Sequence, residues 1–246
     1  MFNFFKKSEQ KKTAAFDFSS AVVDMHSHVL PGIDDGAQTV EDSIFLVRRM
    51  MDLGIKKIIA TPHIMADYYR NTHESITGAL EILKAELVKQ GMDIEIEAAA
   101  EHYFDETFEK RIEDNKLMTM GDNYVLFEYS FISKPPNDIQ IIQKLKDAGY
   151  KPILAHPERY PYMDIEKLRN IREWGCSLQL NTISLVGYYG KEVKKIAEAL
   201  VDNQLVDFIS SDMHHVRHAD AFRDVLKMPH LEKLLFNYPL KNIMLK

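Results

Sequence analysis

The sequence predicts an α/β fold, a distorted (β/α)7 barrel of the TIM type, on three observations. Short apolar runs alternate with amphipathic helical stretches along the chain, as in parallel strands joined by right-handed crossovers. Seven such units follow one another with no linker, low-complexity stretch or repeat between them. Side chains able to ligate metals recur at the ends of the predicted strands, and a barrel gathers those ends on one face. An open doubly wound sheet would not readily collect ligands from every strand.

The elements follow in order. Residues 21–26 read as a short apolar strand, and 40–53 as a helix with Thr39 as N-cap and Gly54 as its stop. A buried-type strand at 57–61 precedes a long helix at 72–90, ended by Gly91. The third strand is 94–100, with a helix at 105–115, and the fourth is 124–128, with a helix at 137–148. The fifth strand, 152–155, leads to a helix at 165–174. The sixth, 177–180, leads to a helix at 191–202. A seventh strand at 206–210 precedes helical C-terminal segments. Residues 21–246 are read as a single domain. Residues 1–20 are read as a flexible extension, whose Phe2, Phe4 and Phe5 precede Lys6, Lys7, Lys11 and Lys12.

Composition narrows the function. A net charge of −6, with no basic stripe beyond the N-terminus, argues against a nucleic-acid partner. No apolar run reaches the roughly 18 residues needed to span a bilayer, so no stable membrane insertion is expected. The one cysteine, Cys176, excludes an intramolecular disulfide and fits a reducing, cytoplasmic setting. Thr182 stands where a Cys-x5-Arg phosphatase loop needs arginine. Phosphate-binding Gly-x4-Gly-Lys loops, Gly-x-Gly-x-x-Gly and Gly-x-Ser-x-Gly are all missing.

Nine candidate metal ligands remain: His26, His28, Asp35, His63, Glu101, Glu128, His156, Asp212 and His214. His26 and His28 are two apart on a strand end, so both imidazoles point to one side. The turn-rich loop after them carries Asp34 and Asp35. Asp35, beside Gly36, is the preferred ligand and Asp34 the alternative. His63 and His156 end the second and fifth strands, and Asp212 and His214 repeat the same-face spacing at the seventh. Glu101 and Glu128 follow apolar segments directly, and a carboxylate entering a barrel mouth is costly unless paired or metal-bound. A catalytic zinc uses about three protein ligands, so nine imply two or three ions. Such clusters commonly hydrolyse phosphate esters. Arg159 and Arg217 follow ligand motifs and are candidates for holding phosphate oxygens in a bidentate fork. His102, His215 and His218 are candidates to support the ligands, and His73 and His230 read as ordinary surface positions. Tyr68, Tyr69, Tyr160, Tyr162, Tyr188 and Tyr189 are candidates for an aromatic pocket, though packing explains most of them equally well.

The run Asp24-Met25-His26-Ser27-His28-Val29-Leu30-Pro31-Gly32-Ile33-Asp34-Asp35-Gly36-Ala37 resembles the opening motif of the polymerase-and-histidinol-phosphatase (PHP) superfamily. More narrowly, it is similar to the manganese-dependent protein-tyrosine phosphatases of bacterial capsule and exopolysaccharide loci. Thr61-Pro62-His63, Ala100-Glu101, Phe127-Glu128-Tyr129, His156-Pro157-Glu158-Arg159 and Ser211-Asp212-Met213-His214 match the rest of that pattern in order. The resemblance implies the distorted (β/α)7 barrel and three metals. His26, His28, Glu101 and Asp212 would hold one; Glu101, Glu128 and His156 the second; Asp35, His63 and His214 the third. Mn²⁺ is the expected metal, with Fe or Zn as alternatives. The resemblance further implies phosphotyrosine hydrolysis by a metal-bridged hydroxide, with Arg159 and Arg217 orienting the phosphate. The implied substrate is the tyrosine-rich tail of a bacterial tyrosine autokinase. Two rival readings are a small-molecule phosphomonoesterase, such as histidinol phosphatase, and a non-catalytic metal-stabilised binding module. The second of these requires a missing ligand.

Overall fold

The computed structural model describes residues 16–246. Every strand pairing between named strands is parallel, and the pairing follows chain order. The first strand, β1 (Val23–Asp24), pairs with β2 (Lys57–Ala60), and β2 with β4 (Glu95–Ala98). A second sheet runs β3 (His63–Ile64), β5 (Glu101–Tyr103), β6 (Tyr124–Glu128), β7 (Lys151–Ala155), β8 (Ser177–Asn181) and β9 (Phe208–Ser210).

These nine segments are the seven expected strands, two of them interrupted. Strands β2 and β3 are one extended run broken at Thr61-Pro62, where proline has no N–H for the ladder. Strands β4 and β5 are likewise one run broken at Ala99-Ala100. The halves stay in register through Ala99 N–H to Ala60 O (2.9 Å) and Glu101 N–H to Pro62 O (3.1 Å). The expected strand at 94–100 therefore extends onward to carry Glu101 within it, and the expected 21–26 strand is shorter.

The seam between the first and last strands closes at both ends. Ser27 bridges Met213, with His28 N–H donating to Met213 O and Asp212 N–H to His26 O, both at 2.9 Å. At the other end the buried Asn242 amide stands in for a strand. Its Nδ2 donates to Val23 O (3.0 Å) and Ile209 O (2.7 Å), and its Oδ1 accepts from Ile209 N–H (3.0 Å).

Helices cover the outside: α1 (Val40–Met51), α2 (His73–Lys89), α3 (Phe108–Glu113), α4 (Asp138–Asp147), α5 (Ile165–Glu173), α6 (Lys191–Asp202), α7 (Val216–Val225) and α8 (Pro229–Asn237). Thr39 caps α1 in a reciprocal box with Asp42, and Thr72 caps α2 with Ser75, each satisfying otherwise orphaned N–H groups. The expected helix at 105–115 is only Phe108–Glu113: the Asp105 carboxylate turns to Ala66 N–H, Thr107 and Arg111 ahead of it, and Asn115 at φ +52° follows its end. The apolar faces of the helices pack on the outer faces of the strands. A second cluster, including Met25, Ile59, Leu126, Ile153 and Phe208, fills the barrel interior.

Within residues 16–20, read from the sequence as part of a flexible extension, the two phenylalanines pack on the barrel's helices. Phe18 is buried and stacks on Phe222 (4.1 Å, 11°), and Phe16 meets Phe236 edge-on. The Phe2-to-Lys12 segment lies outside the described residues. Among those described, no helix is long and apolar enough to cross a membrane.

Candidate metal centre

All nine candidate ligands come together at the C-terminal ends of the strands. Their placement rests on unusual backbone at two of those ends. His156 (φ +32°) and Asp212 (φ +51°) occupy the left-handed region, which is costly for residues with a Cβ and turns each side chain into the mouth. Glu101 opens β5 and Glu128 closes β6.

The proton positions on two histidines can be read from their partners. His26 Nδ1 lies 3.0 Å from Gln179 Oε1, an oxygen identified by also accepting His156 N–H. His28 Nδ1 donates to Asp34 Oδ2 at 2.8 Å. Both histidines therefore carry their proton on Nδ1 and present an Nε2 lone pair. Those two Nε2 atoms lie 3.2 Å apart. Glu101 Oε2 is 3.2 and 3.3 Å from them, and Asp212 Oδ1 is 3.4 and 3.5 Å away. Two imidazole nitrogens and two carboxylate oxygens converging in a buried space require positive charge between them, supplied by a metal ion when one is bound and by the imidazoles' own protons otherwise. Burial works against charging His26 and His28, but the Glu101 and Asp212 carboxylates (for His28, Asp34 and Glu101) outweigh it and raise both. Glu101 and Asp212 are depressed despite burial by the facing histidines, His26 foremost.

Three overlapping groups have ligand atoms mutually within 4.8 Å: His28, Asp35, His63 and His214; His26, His28 and Glu101; His63, Glu101 and Glu128. His63 Nδ1 is buried without a hydrogen bond, 3.2 Å from both Glu101 Oε2 and Glu128 Oε1. His214 Nδ1 donates to Asp212 O at 2.9 Å, leaving Nε2 3.6 Å from Asp35 Oδ1. His156 Nε2 lies 3.0 Å from Glu101 Oε1 and 3.7 Å from Glu128 Oε2. The donor set, mixed imidazole and carboxylate around orphaned buried nitrogens, fits divalent metal ions.

The two aspartates of the loop have different places. Asp35 approaches His63 Nε2 (3.4 Å) and His214. Asp34 instead turns to His28 Nδ1, Gly36 N–H (2.9 Å) and His63 N–H (3.2 Å). The loop can fold back this tightly only because residue 36 is glycine. A Cβ there would lie 2.0 Å from His28 O.

Above the cluster is a cavity of about 540 Å³. Arg159 lines it and donates to Asp212 Oδ2 at 2.9 Å. Arg217 does not reach it: it is the second residue of α7, exposed, while the buried face of that helix is His218, Ala219, Ala221, Phe222 and Val225. Tyr68, Tyr69 and Tyr189 line the cavity. Tyr160 is instead buried, its OH bonded to Ala155 O and Tyr129 N–H, and Tyr162 bonds Ser130 O. Tyr188 packs edge-on to His218. His215 and His218 line the cavity. His102 lies on the opposite face of β5 from Glu101, where its Nε2 accepts Met118 N–H.

Sequence reasoning passed over Gln179, Asn181, Phe131 and Asp24. Asn181 Nδ2 donates to Asp212 Oδ2 (2.8 Å), and Asp24 accepts Ser211 N–H (2.8 Å). The available signal was that polar Gln179 and Asn181 alternate with apolar neighbours in a strand, which turns both into the barrel.

Comparison with known proteins places these features in context. The model of the family described as "Capsular polysaccharide synthesis, CpsB/CapC" matches residues 22–228. The chain is 32% identical to the tyrosine-protein phosphatase YwqE of Bacillus subtilis over 80% of this chain and 78% of that protein. It superposes with a TM-score of 0.77 and 30% identity on a chain from the crystal structures of YwqE and Streptococcus pneumoniae CpsB, described as metal-dependent tyrosine phosphatases. That match covers 89% of this chain and 96% of the other. A histidinol phosphate phosphatase of Lactococcus lactis shares the fold at 14% identity and a TM-score of 0.53, over 84% and 93% of the two chains. With the family model spanning most of the barrel and a relative above 30% identity, the chain belongs to the CpsB/CapC family of capsular polysaccharide synthesis proteins.

Proposed function

We propose that this chain is a metal-dependent protein-tyrosine phosphatase, and that His26, His28, Asp35, His63, Glu101, Glu128, His156, Asp212 and His214 hold its metals. The observation that carries the reading is the pair of Nε2 lone pairs 3.2 Å apart beneath a cavity lined by one arginine and several aromatic rings. The relatives named as tyrosine phosphatases support the substrate class.

Charge supports three ions. Asp34, Asp35, Glu101, Glu128 and Asp212 contribute five negative charges against one from Arg159, a balance of 1 − 5 = −4 with the histidines neutral. Three divalent ions and the attacking hydroxide bring it to about +1, the sign that attracts a phosphomonoester of about −2. Divalent metals at such a site lower the pKa of attacking water and offset phosphoryl charge.

The chain's own residues do the rest. Asp34 and Gln179 fix which nitrogen each of His28 and His26 offers. Arg159 spends one N–H on Asp212 and keeps the others for phosphoryl oxygens. The rings of Tyr68 and Tyr69 give an aryl group apolar surface at the mouth. A phenolate leaving group, with a pKa near 10, needs little acid assistance compared with an alkyl alcohol. Mn²⁺ as the metal, an autokinase's tyrosine-rich tail as substrate and a cytoplasmic location complete the proposal. The location rests on the single, buried thiol. The binding-module alternative loses its basis, since none of the nine side chains is missing.

The test is kinetics on metal-stripped protein reconstituted with Mn²⁺, Fe²⁺ or Zn²⁺. Substrates are a phosphotyrosine peptide, a phosphoserine peptide and histidinol phosphate. Selective Mn²⁺-restored turnover of the phosphotyrosine peptide is expected. Preference for histidinol phosphate, or turnover of none, overturns the substrate assignment.

A further inference from the structure

Among the described residues lining the cavity, Arg159 is the one arginine, and its guanidinium is held from three directions. One is the ion pair with Asp212. The others are aromatic faces: Cζ lies 4.2 Å from the Tyr189 ring centroid and 4.7 Å from that of Phe131. The rings come from different loops, Phe131 after β6 and Tyr189 between β8 and α6.

We propose that Phe131 and Tyr189 are positioning residues for phosphate binding, an aromatic clamp on Arg159. This deepens the phosphatase reading and rests on it. The physical case is the contrast between the two kinds of restraint. A carboxylate partner orients arginine but consumes an N–H and neutralises the charge that an anion needs. An aromatic face holds the cation through its quadrupole, and leaves the N–H donors at the guanidinium edge free. A long side chain immobilised beforehand loses less freedom when phosphate arrives.

The clamp is itself anchored. The Tyr189 hydroxyl accepts from Asn181 Nδ2 at 3.2 Å, and the same nitrogen donates to Asp212 Oδ2, the oxygen that Arg159 also binds. Arg159, Asp212, Asn181 and Tyr189 thus form a closed circuit. Phe131 is 39% exposed yet stacks at 26° on His156, so its position is tied to the cluster below. The rival role for Phe131 is direct contact with the substrate's ring.

The test compares Phe131→Leu and Tyr189→Leu with the ring-preserving Phe131→Tyr and Tyr189→Phe, each alone and in an Arg159→Ala background. The readouts are KM and kcat for the phosphotyrosine peptide, calorimetric binding of orthophosphate to the metal-loaded protein, and metal content. Each leucine variant is expected to weaken orthophosphate binding and raise KM by ~2- to 30-fold, the span of a cation–π contact. Metal content stays at the wild-type level, Phe131→Tyr binds as wild type, Tyr189→Phe, which keeps the ring but loses the hydroxyl that anchors it, falls between wild type and Tyr189→Leu, and the leucine effects vanish without Arg159. Three results overturn the clamp: KM rising with orthophosphate binding unchanged, leucine effects of equal size in the Arg159→Ala background, or weakened binding that tracks lost metal. Orthophosphate binding reads out the clamp even if the peptide is not hydrolysed, so its failure and that of the tyrosine-phosphatase reading are told apart.

Discussion

Replacing Asp34 by asparagine tests whether the metals depend on a side chain that faces away from them. Asp34 accepts three hydrogen bonds, from His28 Nδ1 and His63 N–H on Oδ2 and from Gly36 N–H on Oδ1. Asparagine is nearly isosteric but has one acceptor oxygen. If that oxygen faces His28, the amide NH2 meets the Gly36 N–H, donor against donor. If the amide flips, NH2 meets His28 Nδ1 and drives the imidazole proton to Nε2, abolishing the lone pair that faces His26. The first arrangement leaves a buried donor unsatisfied, at about 1–3 kcal/mol of stability. The second removes a ligand-orienting contact, typically ~10- to 100-fold in metal affinity. Mn²⁺ affinity by competition with a chelator, with Tm measured in parallel, separates the two. Asp35→Asn is the control: Asp35 is half exposed and approaches His63 and His214, so its loss lowers bound metal without disturbing His28. Metal affinity within about twofold of wild type for Asp34→Asn would refute the tautomer argument on which the site's reading rests.

Two further outcomes follow from the same geometry. Gly36→Ala places a Cβ against His28 O and His28 Cβ, both anchored, so the loop must move and break the Ala37 N–H to His28 O bond. A fall of about 1–3 kcal/mol in stability is expected, with reduced metal content, and an unchanged Tm contradicts it. Arg159→Ala is expected to lower kcat/KM about 100-fold, as for a charged hydrogen-bond partner of phosphate, whereas the exposed Arg217→Ala changes it less than about twofold. Equal losses in the two variants mean that Arg217 reaches the substrate from its place on α7.

Much of the fold is readable because parallel strands buried on both faces leave continuous apolar runs, such as residues 58–60 and 125–127, the first of them between two helices with side-chain caps. The interruptions at Pro62 and Ala99-Ala100 were harder, since extended backbone continues through them and only the ladder breaks. At the site, residue type and strand-end position single out the nine side chains, and adjacency to Gly36 puts Asp35 ahead of Asp34. Both are carboxylates on one turn, and their difference is a direction set by Gly36. Arg217 follows the His214 motif in sequence, but the helical rotation begun after His215 carries it to solvent. Phe131 leaves no mark in the sequence, because its role comes from contacts between loops far apart in the chain, and Gln179 shows only as a polar residue alternating with apolar ones in β8.

The barrel's closure and its proposed metal centre occupy the same few residues, and that coupling is testable. Strands β1 and β9 share no regular ladder; they meet at Ser27 and Met213, through His28 N–H and Asp212 N–H, and at the far end through Asn242. His26, His28 and Asp212 flank that upper junction, so metals bound there would tie the first strand to the last. Binding to the native state alone stabilises it by RT ln(1 + [L]/Kd), about 2.7 kcal/mol at a hundredfold excess over Kd. Chelation is therefore expected to lower Tm and to speed amide exchange at His28 and Asp212 first, before the β6–β7 ladder at the centre of the sheet. Asn242→Ala, which opens the other end of the seam, should make the protein more dependent on metal for its stability. If chelation instead exposes all strands together, the seam is not the weak line of this barrel, and the metals stabilise it only as a whole.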